Sequence, residues 1–218
     1  VAMAGHSLGE YTALVCSNAM DFSTAIDVVR FRGQVMQQAV PLGQGAMAAI
    51  LGLEDADLDA ACRDAAQGEV VEPVNFNAPG QTVIAGNATA VARAIDAAKA
   101  RGAKRAVLLP VSVPSHSSLM RGAAERLAEK LATVDVRLPD VAAVYTVDVR
   151  RHSSPDSIRQ SLKEQLFKPV RWADTVRAML AGGATTFVEC GPGKVLTSLN
   201  RRIERRPDLK LLALEDST

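Results

Sequence analysis

An α/β fold in two parts is what this 218-residue sequence predicts, and three observations predict it. The first is Gly5-His6-Ser7-Leu8-Gly9, a serine between two glycines where the short apolar strand Val1-Ala2-Met3-Ala4 meets a helix starting near Leu8. The second is a run of elements from Gly45 to Pro110 in the order β-α-β-β-α-β, the split β-α-β arrangement of ferredoxin-like domains. The third is the return, after Pro114, of helices alternating with apolar strands down to about residue 204, which extends a parallel-sheet core. Residues 1-41 and 111-218 are therefore read as a discontinuous α/β-hydrolase-like core, with 42-110 as an inserted ferredoxin-like (βαββαβ) subdomain. Such a sheet normally has strands ahead of the serine turn, so an N-terminal part of the core is expected to be absent from this chain.

The glycine-flanked serine is the G-x-S-x-G pattern of a nucleophile elbow. A sharp strand-to-helix turn exposes the serine oxygen, and the glycines are expected where a Cβ would strike the neighbouring strand and helix. At the new helix N-terminus the backbone N–H of Leu8 is placed to donate to a developing oxyanion. Five-residue patterns of this kind also arise in ordinary turns, so the rest of the chain must decide.

Asp21 and Ser23 offer N-caps for a second helix from about Thr24 to Val40, ended by Pro41 and Gly43. Ala25, Val28, Val29, Val35, Met36 and Ala39 share one face, and Arg32 lies in the middle of it. A guanidinium there must snorkel out or meet an anion, because an unpaired buried charge is expensive. An internal Asp or Glu is one candidate; a substrate carboxylate, which Arg binds through two parallel hydrogen bonds, is the other.

In the inserted run, strands are expected over Gly45–Gly52, Val70–Asn77, Thr82–Gly86 and Lys104–Leu109, with helices near Asp55–Gln67 and Ala88–Ala100. Asn75 and Asn77 stand beside the Pro79-Gly80 turn, where turn stabilisation and ligand contact are both open. Ser115-His116-Ser117 is read as the end of a strand just before a helix from about Ser118 to Thr133. Of three histidines, His116 is the best placed to act as base for Ser7, with a satisfied buried histidine as the alternative. Beyond it come a strand Val141–Val147, a helix Pro155–Leu166, a helix opened by Pro169-Val170-Arg171-Trp172, a strand Thr185–Glu189 and a helix Lys194–Glu204. Gly191-Pro192-Gly193 is a tight turn at the same end of the sheet, since the spacing of a phosphate loop is absent.

Composition narrows the class. Hydrophobic residues are 48%, charged residues 22% and the net charge is +1, which suggests no nucleic-acid surface. No apolar run reaches membrane-spanning length, and no metal-ligand spacing occurs. Cys16, Cys62 and Cys190 form no C-x-x-C pair and lie in apolar runs, so they are expected to be reduced core residues of a cytoplasmic protein. A serine nucleophile, a histidine base, an oxyanion donor and a nearby arginine together describe acyl transfer through an acyl-serine, on an acyl group that can itself carry a carboxylate.

Five ordered blocks then carry a resemblance: Gly5-His-Ser-Leu-Gly-Glu10, Arg32-Gly-Gln-Val-Met36, Pro73-Val-Asn-Phe-Asn-Ala-Pro-Gly-Gln81, Val113-Pro-Ser-His116 and Gly191-Pro-Gly-Lys-Val-Leu196. Over essentially its whole length the sequence resembles the malonyl-CoA:acyl carrier protein transacylases of bacterial type II fatty acid synthesis. The resemblance implies a ping-pong transfer of malonyl from CoA to Ser7 and on to the phosphopantetheine thiol of acyl carrier protein. It implies His116 as base, Leu8 as backbone oxyanion donor, Arg32 as partner of the malonyl carboxylate, and Gln165 as the residue whose main-chain carbonyl orients His116. It also implies Met36, Asn75 and Asn77 at the substrate cleft, no cofactor beyond the CoA thioester substrate, and neither nucleic acid nor membrane as partner. That family carries an N-terminal strand and glycine-glutamine loop supplying a second oxyanion N–H, which nothing here matches; loss of one such donor costs about a hundredfold or more. A serine esterase or thioesterase, and an inactive module that docks acyl carrier protein, are the alternatives.

Overall fold

The computed structural model describes residues 1–111 and 113–216. The chain opens with β1 (Met3–Ala4), α1 (Gly9–Cys16) and α2 (Phe22–Gln38). Asp21, in extended conformation, stands at the N-cap of α2, so the helix starts two residues before the expected Thr24. Its buried face is the predicted stripe: Ala25, Val28, Val35 and Met36, with Arg32 buried among them. After 42-110 the chain forms a 3-10 turn at Ser118–Met120 and then α5 (Arg121–Ala132), β6 (Ala143–Val144), α6 (Pro155–Glu164) and α7 (Trp172–Ala181). β7 (Thr186–Glu189), α8 (Val195–Ile203) and β8 (Lys210–Ala213) complete the order. Ser154 starts α6 with a capping box, accepting the Ser157 N–H at 3.2 Å, and Pro155 fits the first helical position, where an N–H is not needed. Tyr11, Leu14, Val28, Val35, Leu127, Ile158 and Leu162 belong to one buried cluster that joins α1, α2, α5 and α6.

Between these parts, β2 (Gly45–Leu51), α3 (Asp55–Ala66), β3 (Val71–Ala78), β4 (Gln81–Asn87), α4 (Ala88–Ala100) and β5 (Arg105–Leu108) follow the β-α-β-β-α-β order. They form a four-stranded sheet in the order β3-β4-β2-β5. Each neighbouring pair is antiparallel. Alternation along the strands separates two apolar faces. Ala48, Ile50 and Ile84 point to the cluster shared with Leu58, Ala61, Val91 and Ala94 of the two helices, while Met47, Val74, Val83 and Ala85 form the other. Strand β3 is tied to the remainder of the chain by the Phe76 N–H to the Val170 carbonyl and the Val170 N–H to the Val74 carbonyl, both 2.9 Å.

Four expectations need correction. The parallel sheet is present only as two separate pairs among the described residues, β1 with β6 and β7 with β8. The expected strand Val141–Val147 is cut to Ala143–Val144 because the chain turns back at once: the Tyr145 N–H donates to the Arg150 carbonyl, and Val149 takes a φ of +57°. His116 does not end a strand; no described residue between Leu109 and Ser117 is in one, and Pro110 and Pro114 lack the N–H groups that a ladder would need. Cys16 and Cys190 are exposed, and only Cys62 is buried, so proximity to apolar residues did not place the first two in the core.

Candidate active site

The elbow begins with a packing constraint. A Cβ on Gly5 would lie 1.9 Å from the Gly9 carbonyl carbon and 2.1 Å from the Glu10 nitrogen, so only glycine lets strand and helix cross there. Gly9 meets nothing within 4 Å, so the second glycine of the motif is not required by contact. Ser7 sits at φ +52°, in the left-handed region that a non-glycine residue adopts only under local constraint. The Gly9, Glu10 and Tyr11 N–H groups donate back to the His6, Ser7 and Leu8 carbonyls and start α1. The Leu8 N–H, at that helix N-terminus, takes part in no hydrogen bond among the described residues, and Leu8 is exposed.

Three side chains from distant parts of the sequence meet at Ser7. The Ser7 hydroxyl lies 2.9 Å from His116 Nε2, and an Arg32 Nη2 donates to Ser7 Oγ at 3.0 Å. The same Arg32 nitrogen donates to Gln165 Oε1 at 3.0 Å. His116, also at a left-handed φ of +66°, is fixed from behind: its Nδ1 lies 2.6 Å from the Gln165 main-chain carbonyl, and its own N–H donates to the Leu166 carbonyl at 2.9 Å. A carbonyl can only accept, so Nδ1 carries the proton and Nε2 is left to accept from Ser7. Burial, reinforced by the Arg32 charge, pushes the imidazole down to about 3, so it is neutral at neutral pH. Arg32 is 7% exposed, and burial lowers its pKa, which the neighbouring Tyr11 and Glu10 oppose.

The other expected residues fall at different distances from this centre. Asn77 Oδ1 lies 2.8 Å from His6 Nε2, so the elbow histidine reaches across to β3. Asn75 is on the same strand; its Oδ1 is buried without a hydrogen-bond partner. Met36, one turn beyond Arg32, is buried in the apolar cluster with Tyr11 and Leu14. Sequence reasoning missed Glu10, which is 2% exposed and accepts hydrogen bonds from the Thr146 N–H and hydroxyl, both 2.7 Å. It also missed the Gln165 side chain, whose amide nitrogen donates to the Ser7 carbonyl at 3.0 Å and to Glu10 at 2.5 Å. The only signal was position: Glu10 falls on the inner side of a helix that starts at the nucleophile. Among the described residues, no group of three His, Cys, Asp or Glu could hold a metal ion, and no helix is long and apolar enough to cross a membrane.

Residues 1–210 match the family described as acyl transferase domain. The chain belongs to that family. It is 56% identical over 201 residues to the malonyl CoA-acyl carrier protein transacylase of Escherichia coli (strain K12), covering 92% of this chain and 65% of the relative, so it spans slightly under two thirds of that protein's length. Among solved structures, the malonyl CoA-acyl carrier protein transacylase of Coxiella burnetii superposes with a TM-score of 0.96 at 48% identity, over 98% of this chain and 67% of the other. A malonyl-transacylase solved in complex with its type II PKS acyl-carrier protein superposes with a TM-score of 0.93 at 51% identity, over 97% of this chain and 67% of the other.

Proposed function

We propose that the chain carries the catalytic machinery of a malonyl transferase, moving a malonyl group from CoA to the phosphopantetheine thiol of acyl carrier protein through a malonyl-serine at Ser7. The observation that carries this reading is the convergence of His116 Nε2 and the Arg32 guanidinium on one serine oxygen, at 2.9 and 3.0 Å. A base alone would serve any acyl group; a buried cation beside the nucleophile favours one that brings its own carboxylate. The 56% identity with a malonyl CoA-acyl carrier protein transacylase supports the same substrate.

The steps follow from the proton positions. Neutral His116 takes the hydroxyl proton as Ser7 Oγ attacks the thioester carbonyl, while its Nδ1–H stays on the Gln165 carbonyl in the place a triad acid would occupy. The Leu8 N–H at the start of α1 donates to the tetrahedral oxyanion. Collapse expels the CoA sulfur, which takes the proton from His116. In the second half the carrier thiol gives its proton to His116 and attacks the ester carbonyl; collapse breaks the bond to Ser7 Oγ, which takes the proton back from His116. The Arg32 charge is one cause of the low basicity of His116, so a malonyl carboxylate on Arg32 offsets that charge and raises the base when the correct acyl group is bound. No step calls for a cofactor.

In this reading residues 1-41 and 111-218 are an α/β-hydrolase-like core and 42-110 a ferredoxin-like subdomain over the cleft, supported by the strand order β3-β4-β2-β5. Asn75, Asn77 and Met36 are assigned to the cleft, with the buried, unpartnered Asn75 oxygen in support. Transfer of labelled malonyl from CoA to acyl carrier protein, run beside hydrolysis of malonyl-CoA, tests the proposal. Transfer outpacing hydrolysis is expected; hydrolysis without transfer would make the chain a thioesterase instead.

A further inference from the structure

Glu10 is a buried acid that the transfer steps do not use. Its two oxygens take three hydrogen bonds: Oε1 from the Thr146 N–H and hydroxyl, Oε2 from the Gln165 amide nitrogen. That nitrogen has two hydrogens, and the second goes to the Ser7 carbonyl at 3.0 Å. With both spent on oxygens, the Gln165 amide is fixed with its own oxygen turned to Arg32, where it accepts at 3.0 Å. Gln165 and Thr146 are both fully buried, out of reach of bulk solvent. Arg32 Nε, by contrast, is buried and unpartnered, which leaves the guanidinium dependent on the few acceptors that reach it.

We propose that Glu10 is a positioning residue for acyl selectivity: it sets the orientation of the Gln165 carboxamide, and through it holds the Arg32 guanidinium at Ser7. The assignment rests on the reading of Arg32 as the partner of the acyl carboxylate. Burial raises the Glu10 carboxyl to about 7, opposed by the hydrogen bonds from Thr146 and Gln165 and by the Arg32 charge, so above that pH it is the carboxylate whose oxygens only accept. The chemistry of Glu10→Gln makes the proposal sharp. The introduced carboxamide has one acceptor end and one donor end. The Thr146 N–H belongs to the main chain and cannot turn away, so the acceptor end must face it. The donor end then faces Gln165, whose amide has to reverse and direct its NH2 at Arg32, a group with no acceptor.

The test measures acylation of Ser7 by malonyl-CoA and by acetyl-CoA in wild type, Glu10→Gln and Gln165→Met, together with crystal structures of wild type and Glu10→Gln. Gln165→Met keeps the main-chain carbonyl on His116 and removes only the amide, so it remains informative if Glu10→Gln does not fold. Both variants are expected to lower the malonyl-to-acetyl ratio by about tenfold or more, the scale of one hydrogen bond to a charged group. The Glu10→Gln structure is expected to show the Gln165 amide reversed and its contact with Arg32 broken. A Gln165→Met ratio equal to wild type, or an intact Arg32–Gln165 contact in Glu10→Gln, overturns the proposal. A wild type without preference for malonyl overturns the reading of Arg32 instead, and the crystallographic comparison then decides Glu10.

Discussion

Acid should weaken this fold through His116 in a window that the site geometry defines. The imidazole is held from 6.5 down to about 3 by burial and the Arg32 charge. Above pH 6.5 it is neutral in both folded and unfolded chains and has no effect on the balance. Between 6.5 and about 3 the unfolded chain binds a proton that the folded site refuses, so stability falls as pH falls. At about 1.4 kcal/mol per pH unit the whole window is worth several kcal/mol, of which about half is lost by pH 4.5. Glu10 works in the opposite sense. Its carboxyl, raised from 4.5 to about 7, takes up a proton in the folded state first, so it adds stability as pH falls from 7 to 4.5. Wild type alone therefore shows a flattened profile, and the His116 contribution appears only against His116→Asn. Asparagine tolerates the left-handed backbone at this position and retains an amide N–H for the Gln165 carbonyl. Urea unfolding of both proteins at pH 8, 6.5, 5.5 and 4.5 should show curves that diverge only below pH 6.5, with wild type losing ground. Parallel curves would refute a neutral, proton-resistant His116.

Three further outcomes follow from single contacts. Gly5→Ala puts a Cβ 1.9 Å from backbone that cannot yield, so it should lower stability by at least about 1–3 kcal/mol and abolish Ser7 acylation; Gly9→Ala, which meets nothing, should do neither, and equal melting temperatures for the two would count against the elbow packing. Arg32→Ala should shift preference from malonyl toward acetyl by about tenfold or more, measured as the ratio of acylation rates, and an unchanged ratio would remove the carboxylate partner. Asn200→Ala leaves the buried Trp172 indole N–H, now 2.9 Å from Asn200 Oδ1, without an acceptor; a loss of about 1–3 kcal/mol in urea unfolding is expected, and no measurable loss would argue that the indole finds another partner.

What the sequence revealed of the site was whatever a local pattern can encode. Ser7 shows through its glycines, Arg32 through its place in an apolar stripe, and His116 through scarcity, since only three histidines exist. Glu10 stayed hidden because an acid in the first turn of a helix already has an ordinary explanation in the helix dipole. Its partners Thr146 and Gln165 lie 136 and 155 residues away, beyond any periodicity. The same holds for His6, whose Asn77 partner is 71 residues on. In the fold, the β-α-β-β-α-β order from Gly45 to Leu108 was legible because its strands pair within the segment and its turns are marked by glycine and proline. Strand β8 was not, because Lys210–Ala213 is too short to show alternation and gains its identity only from the register with Thr186–Glu189.

The central claim is that Ser7 accepts a malonyl group. Intact mass spectrometry of the protein after brief exposure to malonyl-CoA tests it directly, with Ser7→Ala as the comparison. One malonyl adduct per chain in wild type and none in Ser7→Ala is the predicted result. An adduct that survives the substitution would contradict the account.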